Sequence, residues 1–326
     1  MKQSFSKAIV QTGYGDRNVF EVQHLQVPPP GPREVRIRHT AVGVNFHDIY
    51  VRTGLYKILA IPGIPGIEAV GEITEVGSEV PAWRVGQRAA YVDRGYGAYC
   101  EERVVAENLL IAPPSILSDQ VVATSLLRGL TAAMLLEQVY HVKDDDLCLI
   151  HAAAGSTGAL LVPWARHLGA RVVGTIGQRP LAPETAALCE HVYSYADAHW
   201  SEQALAEYGP HFQYICDSVG APTLEGSLAV AARCGHVALF GQSGGMVEDI
   251  PVRALAAKSL SVTRPNVFDY LSDDERRRAM TRSFIVMVER QGLSLPEPVS
   301  LPLDKAGEAH KMLEERLTQA PIALIP

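Results

Sequence analysis

The chain has 326 residues, of which 47% are hydrophobic and 20% are charged, and its formal net charge is −7. This length accommodates two domains with separate hydrophobic cores, and the acidic balance disfavours a general electrostatic partnership with nucleic acid or with an anionic membrane. No apolar run approaches the roughly 20 residues that cross a bilayer, and no N-terminal stretch has the pattern of a signal peptide, so we expect a cytoplasmic protein without membrane spans.

The cysteines disfavour both a disulfide framework and a structural zinc site. They are odd in number, widely spaced and free of any C-x-x-C pair: Cys100, Cys148, Cys189, Cys216 and Cys234. Neither kind of site is built from such a pattern.

The first third of the chain has the pattern of an all-β region. From Ser6 to about Ala112, short alternating or β-branched runs are separated by glycine and proline. These runs are KAIV, VFEVQHL, EVRIRHTAVGV, AVGEITEVG and RAAYV. Because many short strands must close or stack to hide their edges, we expect a compact barrel.

Beyond Pro113 the pattern becomes helical, in VVATSLLRGLTAAMLLEQ, and then alternates between strands and helices. A domain boundary is expected within residues 118–123. The predicted strands are 147–150, 171–176, 191–195, 213–217, 236–240 and 260–263, and the predicted helices between them are 184–190, 200–207 and 223–232. A helix over 273–290, a strand around Val299 and a helix over 304–316 follow. This alternation predicts a doubly wound parallel sheet.

The stretch from Leu147 to Gly177 reads as a strand, a tight turn, a helix and a second strand. Ala153, Gly155 and Gly158 have the spacing of a G-x-G-x-x-G fingerprint with alanine in the first position. In such a turn the middle glycine admits a pyrophosphate, the last lets the helix pack on the strand, and helix N-terminal amides bind the anion. The stretch therefore predicts a dinucleotide site, although Pro163 should bend the helix.

Several stretches together resemble the zinc-independent quinone oxidoreductases (the zeta-crystallin-like family) of the medium-chain dehydrogenase/reductase superfamily. They are GVNFHDIYVRTGLY, PGIPGIEAVGEITEVGSEV, LLRGLTA, HAAAGSTG, CDSVG, LFGQSGG and VTRP. The resemblance implies an α/β protein with a GroES-like β-barrel catalytic domain over 1–121 and a Rossmann NADP-binding domain over 122–263. A C-terminal segment, 264–326, would complete the catalytic domain, with the active site in the cleft between the domains.

The resemblance also implies chemistry without a metal. Alcohol dehydrogenases of this architecture hold zinc through a Cys and a His in the stretches that match VNFHD and GIEAVG, where this chain has Asn45 and Ile67. His47 is a nearby candidate ligand without obvious partners, and we interpret it as a polar cleft or loop histidine because zinc needs three or four donors.

The site residues implied by the resemblance come from both domains. The catalytic set is Asn45, Asp48, Tyr50 and Tyr56. The cofactor-binding set is Asn45, Thr131, Gly155, Ser156, Thr157, Gly174, Arg179, Tyr195, Ser218, Phe240, Ser243 and Arg264. Other interpretations stay open: Asn45 and Asp48 could cap turns, Phe240 could belong to the core, and Arg264 could pair with a surface carboxylate.

The implied activity is hydride transfer from NADPH to a quinone or a similar conjugated carbonyl compound. One alternative is an enoyl or 2-alkenal reductase, and another is a cofactor-binding structural or RNA-binding protein. NADPH is favoured over NADH because no Asp or Glu follows the second Rossmann strand and Arg179 could meet the 2′-phosphate. The family's usual lysine is replaced by Leu181, so Arg179 could also be a solvent-facing loop residue.

A homodimer is expected from the apolar strand at 260–263. This strand should lie at the edge of the Rossmann sheet, where it could pair with its symmetry mate. The family resemblance points to the same assembly.

Overall fold

Strands and helices alternate through a computed structural model that describes residues 4–326. The strands are β1 (Ser4–Gln11), β2 (Phe20–Val27), β3 (Glu34–Val44), β4 (Glu68–Val76), β5 (Arg88–Val92), β6 (Glu102–Ala106), β7 (Leu110–Ile111), β8 (Leu147–Ile150), β9 (Arg171–Ile176), β10 (His191–Ser194), β11 (Phe212–Asp217), β12 (Ala231–Leu239), β13 (Ser261–Thr263), β14 (Val299–Pro302) and β15 (Ile322–Ile325).

The α-helices are α1 (Phe46–Thr53), α2 (Asp119–Ala133), α3 (Gly158–His167), α4 (Pro183–Ala186), α5 (Trp200–Tyr208), α6 (Ala221–Val230), α7 (Val252–Ala256), α8 (Val267–Leu271), α9 (Asp274–Glu289) and α10 (Ala306–Glu314). A π-helix, Met134–Val139, follows α2, and short 3-10 helices are Arg17–Val19, Glu107–Leu109 and Leu303–Lys305. No helix in this described part of the chain has the length and apolar character needed to cross a membrane.

The chain divides into two units. The first contains the described residues up to Leu127 together with Ser294–Pro326, and the second is Arg128–Leu293. The domain limits expected from the sequence, at residues 121–122 and 263–264, remain a proposal about where each domain begins and ends.

The first unit is built around β3. Its first half pairs antiparallel with both β4 and β6, and its last residues pair antiparallel with β15, which lies parallel to β14. The resulting sheet has the order β14-β15-β3-β4-β5-β7, with β6 also on β3, while β1 and β2 form a separate antiparallel pair. Fully buried β-branched and aromatic side chains, among them Ile37, Ile73 and Tyr91, form its core.

Besides two short 3-10 helices, one α-helix in the described part of the chain interrupts the region that the sequence pattern predicts to be all β, so that prediction is wrong for Phe46–Thr53. The physical reason is local capping. The Asp48 carboxylate accepts the Asn45 N–H at 2.8 Å, which satisfies a donor at the start of α1, and Gly54 ends the helix with φ of 83°. Asn45 and Asp48 therefore cap the start of α1, as in the alternative interpretation in which they cap a turn.

The second unit confirms the predicted doubly wound sheet. Its strands are all parallel and have the order β10-β9-β8-β11-β12-β13. The predicted strands match β8 to β13 to within one residue at each end, except that β12 begins earlier than expected, at Ala231. The helix predicted over 223–232 therefore ends at Val230, and the helix predicted over 184–190 is only Pro183–Ala186. The early start of β12 contains an irregular register against β11 and a left-handed residue, Cys234, which no period-2 pattern predicts.

Gly43 in β3 lies where two backbones meet beneath the start of α1. An ideal Cβ at this position would be 2.0 Å from the Ala123 carbonyl oxygen and 2.7 Å from Glu68 Oε1. Because the carbonyl belongs to helix α2, it cannot move aside as the end of a flexible side chain could. Only glycine fits at this position.

We therefore expect Gly43→Ala to lower the free energy of unfolding by about 3 kcal/mol, the cost of overpacking a rigid site. Urea denaturation followed by circular dichroism measures this change. The matched control is Gly13→Ala, whose Cβ would have its nearest neighbour at 4.0 Å, and which should change stability by less than about 0.5 kcal/mol. Equal unfolding midpoints for the two variants would contradict the close approach at Gly43.

Candidate active site

The turn between β8 and α3 brings two stretches of backbone into close contact. Ala152 has a left-handed φ of 51°, and its carbonyl oxygen accepts the Gly155 N–H at 2.7 Å. An ideal Cβ on Gly158 would lie 2.3 Å from that same oxygen. Glycine at position 158 is therefore required for α3 to begin directly against the strand, as the fingerprint predicts.

The same turn leaves amide donors open at the start of α3. Throughout residues 4–326, no acceptor is bonded to the backbone N–H groups of Ser156 and Thr157. Ser156 is exposed and Thr157 is half-buried. Helix N-terminal amides of this kind, reinforced by the helix dipole, bind phosphate groups. The residues present therefore fit a pyrophosphate.

A second group of predicted residues lies at the carboxyl end of β9. Gly174 is buried there, and a Cβ on it would lie 3.2 Å from the Ala153 Cβ. Just beyond the strand, an ideal Cβ on Gly177 would be 2.7 Å from the Tyr195 hydroxyl oxygen, so the tyrosine hydroxyl packs against bare backbone. Arg179 follows on an exposed loop. These positions lie at the same edge of the sheet as the turn between β8 and α3.

The carboxyl ends of β11 and β12 bring together a third group. The Ser243 N–H and hydroxyl both donate to the Ser218 carbonyl oxygen, at 3.0 and 3.1 Å. Arg264 donates to the carbonyl oxygens of Leu239 at 2.7 Å and Gly241 at 3.3 Å. Arg264 thus holds the end of β12 through backbone carbonyls instead of pairing with a surface carboxylate.

A pocket of about 260 Å³ lies beside this third group. Its lining combines apolar side chains with Gln242, Thr263 and Arg264. Phe240 is half-buried next to it in sequence and donates its N–H to the Asp217 carbonyl oxygen at 2.9 Å. Ligands of open parallel sheets bind at this carboxyl edge. Thr131, also predicted to bind cofactor, is a half-buried residue of α2 in the same unit.

In the first unit, Asn45 stands at the start of α1 and is held by a buried carboxylate. Its Nδ2 donates to Glu68 Oε1 at 2.7 Å, and Glu68 Oε2 accepts the Leu127 N–H at 2.7 Å. Glu68 has no exposed surface. Both of its oxygens therefore receive charge-assisted hydrogen bonds, which fix the orientation of Asn45.

The donor set at this place does not suit a metal ion. Ile67, which stands where the resemblance expects an imidazole ligand, is fully buried and offers no donor atom. Across residues 4–326, no three or more His, Cys, Asp or Glu side chains are arranged to hold a metal. His47 instead lies with its Nε2 2.9 Å from the Tyr96 hydroxyl oxygen, and burial lowers its pKa to about 4.

Five rings surround the first turns of α1 and form what we term the aromatic group: Phe46, His47, Tyr50, Tyr56 and Tyr96. The centroids of Tyr50 and Tyr56 are 5.3 Å apart at a steep angle, and His47 lies 5.6 Å from Tyr56. Phe46 is 45% exposed, whereas Tyr96 is buried. The aromatic group thus contains both exposed and buried rings, and it lies on and next to the helix that begins after Asn45.

Asp48, also predicted as catalytic, has no exposed surface. Its Oδ2 accepts the Asn45 N–H at 2.8 Å and the Tyr99 hydroxyl at 3.2 Å. Burial, reinforced by the neighbouring Glu68, raises the pKa of Asp48 to about 7. The structure therefore places Asp48 in the interior, bonded to the Asn45 N–H and the Tyr99 hydroxyl.

The sequence interpretation missed three side chains of this region. Glu68 lies inside a motif that was already noted, so its position could have been found there, whereas Tyr96 and Tyr99 lie in a loop with no motif. The two tyrosines are recognisable only by the partners that the fold brings to them, His47 for Tyr96 and Asp48 for Tyr99.

Comparisons with known proteins agree with this geometry. Residues 31–115 match the family described as "Alcohol dehydrogenase GroES-like domain", and residues 157–283 match that described as "Zinc-binding dehydrogenase". A quinone oxidoreductase of Pseudomonas aeruginosa is 35% identical, with 98% of this chain and 100% of that protein aligned. A 2-haloacrylate reductase of a Burkholderia species is 36% identical over 98% of each chain.

Among solved structures, the Escherichia coli quinone oxidoreductase complexed with NADPH is 31% identical and superposes with a TM-score of 0.88 over 98% of this chain and 100% of that one. Identity at this level over nearly the whole length of both proteins accompanies the predicted barrel-like unit, the parallel sheet and the glycine turn. The chain belongs to the quinone oxidoreductase family of the medium-chain dehydrogenase/reductase superfamily.

Proposed function

We propose that this protein is an NADPH-dependent, metal-independent reductase of quinones and similar conjugated carbonyl compounds. The observation that carries the proposal is the environment of Asn45. A buried carboxylate orients its amide, the aromatic group lies on and next to the helix that follows it, and the position of the expected imidazole ligand is the buried apolar Ile67. The names of the relatives, quinone oxidoreductases for the most part, support the same activity.

The cofactor supplies a hydride from its reduced nicotinamide. The open amides of Ser156 and Thr157, with Gly155 between the strand and the helix, would hold its pyrophosphate. Gly174, Tyr195 and Arg179 would line the adenosine side. The nicotinamide half would be held by Thr131, Asn45, Ser218, Phe240, Ser243 and Arg264.

The aromatic group would bind the acceptor and orient it. Flat rings favour a flat, electron-poor acceptor through stacking, and their apolar faces exclude water from the reacting atoms. Hydroxyls of Tyr50 and Tyr56 would donate hydrogen bonds to the oxygen on which negative charge develops. Positioning and hydrogen bonding would thus replace the activation that zinc gives in related dehydrogenases.

Reduction of an activated carbon–carbon double bond is a second candidate, favoured by the similarity to a 2-haloacrylate reductase. That reaction needs a proton for the carbon next to the one that receives the hydride. The Asp48 carboxyl is buried and its pKa is raised to about 7, so its proton could reach a substrate only through neighbouring groups. The aromatic group favours the quinone reaction.

The two candidates are separated by assaying NADPH oxidation with a 1,4-benzoquinone and with a 2-alkenal. We expect kcat/KM for the quinone to exceed that for the alkenal at least tenfold, because the rings stack on the flat acceptor. We also expect the rate to survive exhaustive dialysis against EDTA, since residues 4–326 contain no group of side chains arranged to hold zinc. Lost activity that stoichiometric zinc restores, or a preference for the alkenal, would contradict the proposal.

Preference for NADPH over NADH is the next expectation, and it depends on Arg179. If its guanidinium contacts the 2′-phosphate, Arg179→Ala should lose a charge-assisted contact of roughly 1.5 to 3 kcal/mol. The Michaelis constant for NADPH should rise by about one to two orders of magnitude, and that for NADH should stay nearly constant. The control is Arg253→Ala, which removes the same charge from the exposed helix α7. Equal changes in the Michaelis constants for NADPH and NADH would show that Arg179 is a solvent-facing loop residue that does not contact the 2′-phosphate.

We also propose a homodimer, because β13 lies at the edge of the six-stranded sheet. It pairs with β12 on one side only among residues 4–326, and its Val262 and Thr263 are half-buried. A short apolar edge can be covered by its symmetry mate. Sedimentation equilibrium at micromolar concentration should give the mass of a dimer, and replacing Val262 by lysine should shift the protein toward monomer. A wild-type protein that is monomeric throughout would refute the assembly.

A further inference from the structure

A buried chain of polar side chains connects α10 to the start of α1. Asp48 Oδ2 is 3.2 Å from the Tyr99 hydroxyl oxygen, which is 3.1 Å from His310 Nε2, and His310 Nδ1 is 3.4 Å from Arg52 Nη1. Asp48, Tyr99 and His310 have no exposed surface, and Arg52 is 2% exposed. Arg52 and Asp48 lie on one face of α1, whereas Tyr99 and His310 come from distant parts of the chain.

The chemistry of the groups fixes the direction of every hydrogen bond in this chain. A guanidinium can only donate, so His310 Nδ1 must accept from Arg52. Burial, together with the charge on Arg52, lowers the pKa of His310 to about 3, so the ring is neutral and carries its hydrogen on Nε2. That hydrogen is donated to the Tyr99 oxygen. The Tyr99 hydroxyl must then donate to Asp48 Oδ2.

Oδ2 of Asp48 thus receives two donors, from Tyr99 and from the Asn45 N–H. Its other oxygen, Oδ1, is buried and has no hydrogen-bond partner among residues 4–326. A buried carboxylate oxygen without a donor is costly, so burial favours the neutral acid. Because Oδ2 is already engaged by two hydrogens, the proton of the neutral acid belongs on Oδ1.

Glu68 from β4 and the loop residues Tyr96 and Tyr99 are the titratable groups that act on Asp48 directly. His310 from α10 acts on it through Tyr99, and Arg52 acts through His310 while it also forms an ion pair with Glu314 of α10. Glu68 raises the pKa of Asp48 and the Tyr99 hydrogen bond lowers it, with burial the largest cause and a resulting pKa of about 7. The neutral acid therefore predominates below about pH 7 and is lost as the pH rises through that value.

We propose that Arg52 and His310 are positioning residues of the reduction, which act through Tyr99 to hold the Asp48 carboxyl in place behind Asn45. Burial and the neighbouring Glu68 favour the neutral form of that carboxyl. The inference rests on the proposed function. In that reaction the quinone gains a hydride from the bound cofactor and one proton from solvent, and becomes the hydroquinone. Negative charge develops on its oxygen before protonation, and a neutral carboxyl does not oppose that charge as a carboxylate would.

The test compares His310→Gln with His310→Glu, two side chains of equal size. A glutamine amide can accept from Arg52 and donate to Tyr99, which preserves the direction of the chain, whereas a carboxylate accepts from both and turns the Tyr99 hydroxyl away from Asp48. At pH 6, with NADPH and 1,4-benzoquinone, we expect kcat of the glutamine variant to stay within about twofold of wild type. The glutamate variant should lose at least tenfold in kcat, with the KM for NADPH unchanged in both.

Tyr99→Phe supplies a second route, because it removes the connecting hydroxyl and keeps the ring. It should reduce kcat at pH 6 as the glutamate variant does, and it carries the test if that variant does not fold by circular dichroism. Equal kcat in the glutamine and glutamate variants, or a Tyr99→Phe enzyme with wild-type kcat, would overturn the inference. Wild-type enzyme without quinone-dependent NADPH oxidation would instead refute the proposed function.

The pH profile provides an independent reading. Wild-type kcat should fall above about pH 7 as Asp48 ionises, by up to tenfold per pH unit, whereas Asp48→Asn is neutral at every pH and should lack this fall. If the hydrogen-bonded side chains had only a structural role, substitutions in them would change the thermal stability and would not change the pH dependence of kcat. The same alkaline fall in Asp48→Asn would assign the ionisation to another group and overturn the proposal.

Discussion

The two hydrogen bonds of Glu68 are the interaction on which the first unit depends. One carboxylate oxygen accepts from the Asn45 amide and the other from the Leu127 backbone, and the side chain has no exposed surface. A buried carboxylate is stable only when its oxygens receive donors. This requirement fixes the start of α1 against β4 and against α2, and with α1 it fixes the aromatic group.

In the second unit the corresponding constraint is the approach of backbone to backbone at the glycine turn. The Ala152 carbonyl oxygen lies so near Gly158 that a side chain at that position has no room. The amides of Ser156 and Thr157 consequently project from the start of α3 without internal acceptors in the described chain. Ser156 and Thr157 therefore present the backbone donors that a pyrophosphate needs.

The polar side chains around the start of α1 form a hydrogen-bonded cluster. Asn45 and the apolar Ile67 supply no ligand pair, and the nearby carboxyl groups of Glu68 and Asp48 are bonded to amides and hydroxyls. The proposed reduction would therefore depend on orientation and on the balance of charge around the acceptor. Burial raises the pKa of Asp48 to about 7, so its neutral form predominates only below that pH.

The sequence by itself determined the elements whose signals are local. Continuous β-branched runs marked β8 and β9, alternation marked β3 and β4, and the spacing of Ala153, Gly155 and Gly158 marked the turn. The tertiary structure decided the rest, including the helical conformation of α1 within a β-rich region. The contact between Tyr99 and His310 joins residues separated by 211 positions, and no local periodicity encodes such a pair, because its energy exists only when the fold buries both partners together.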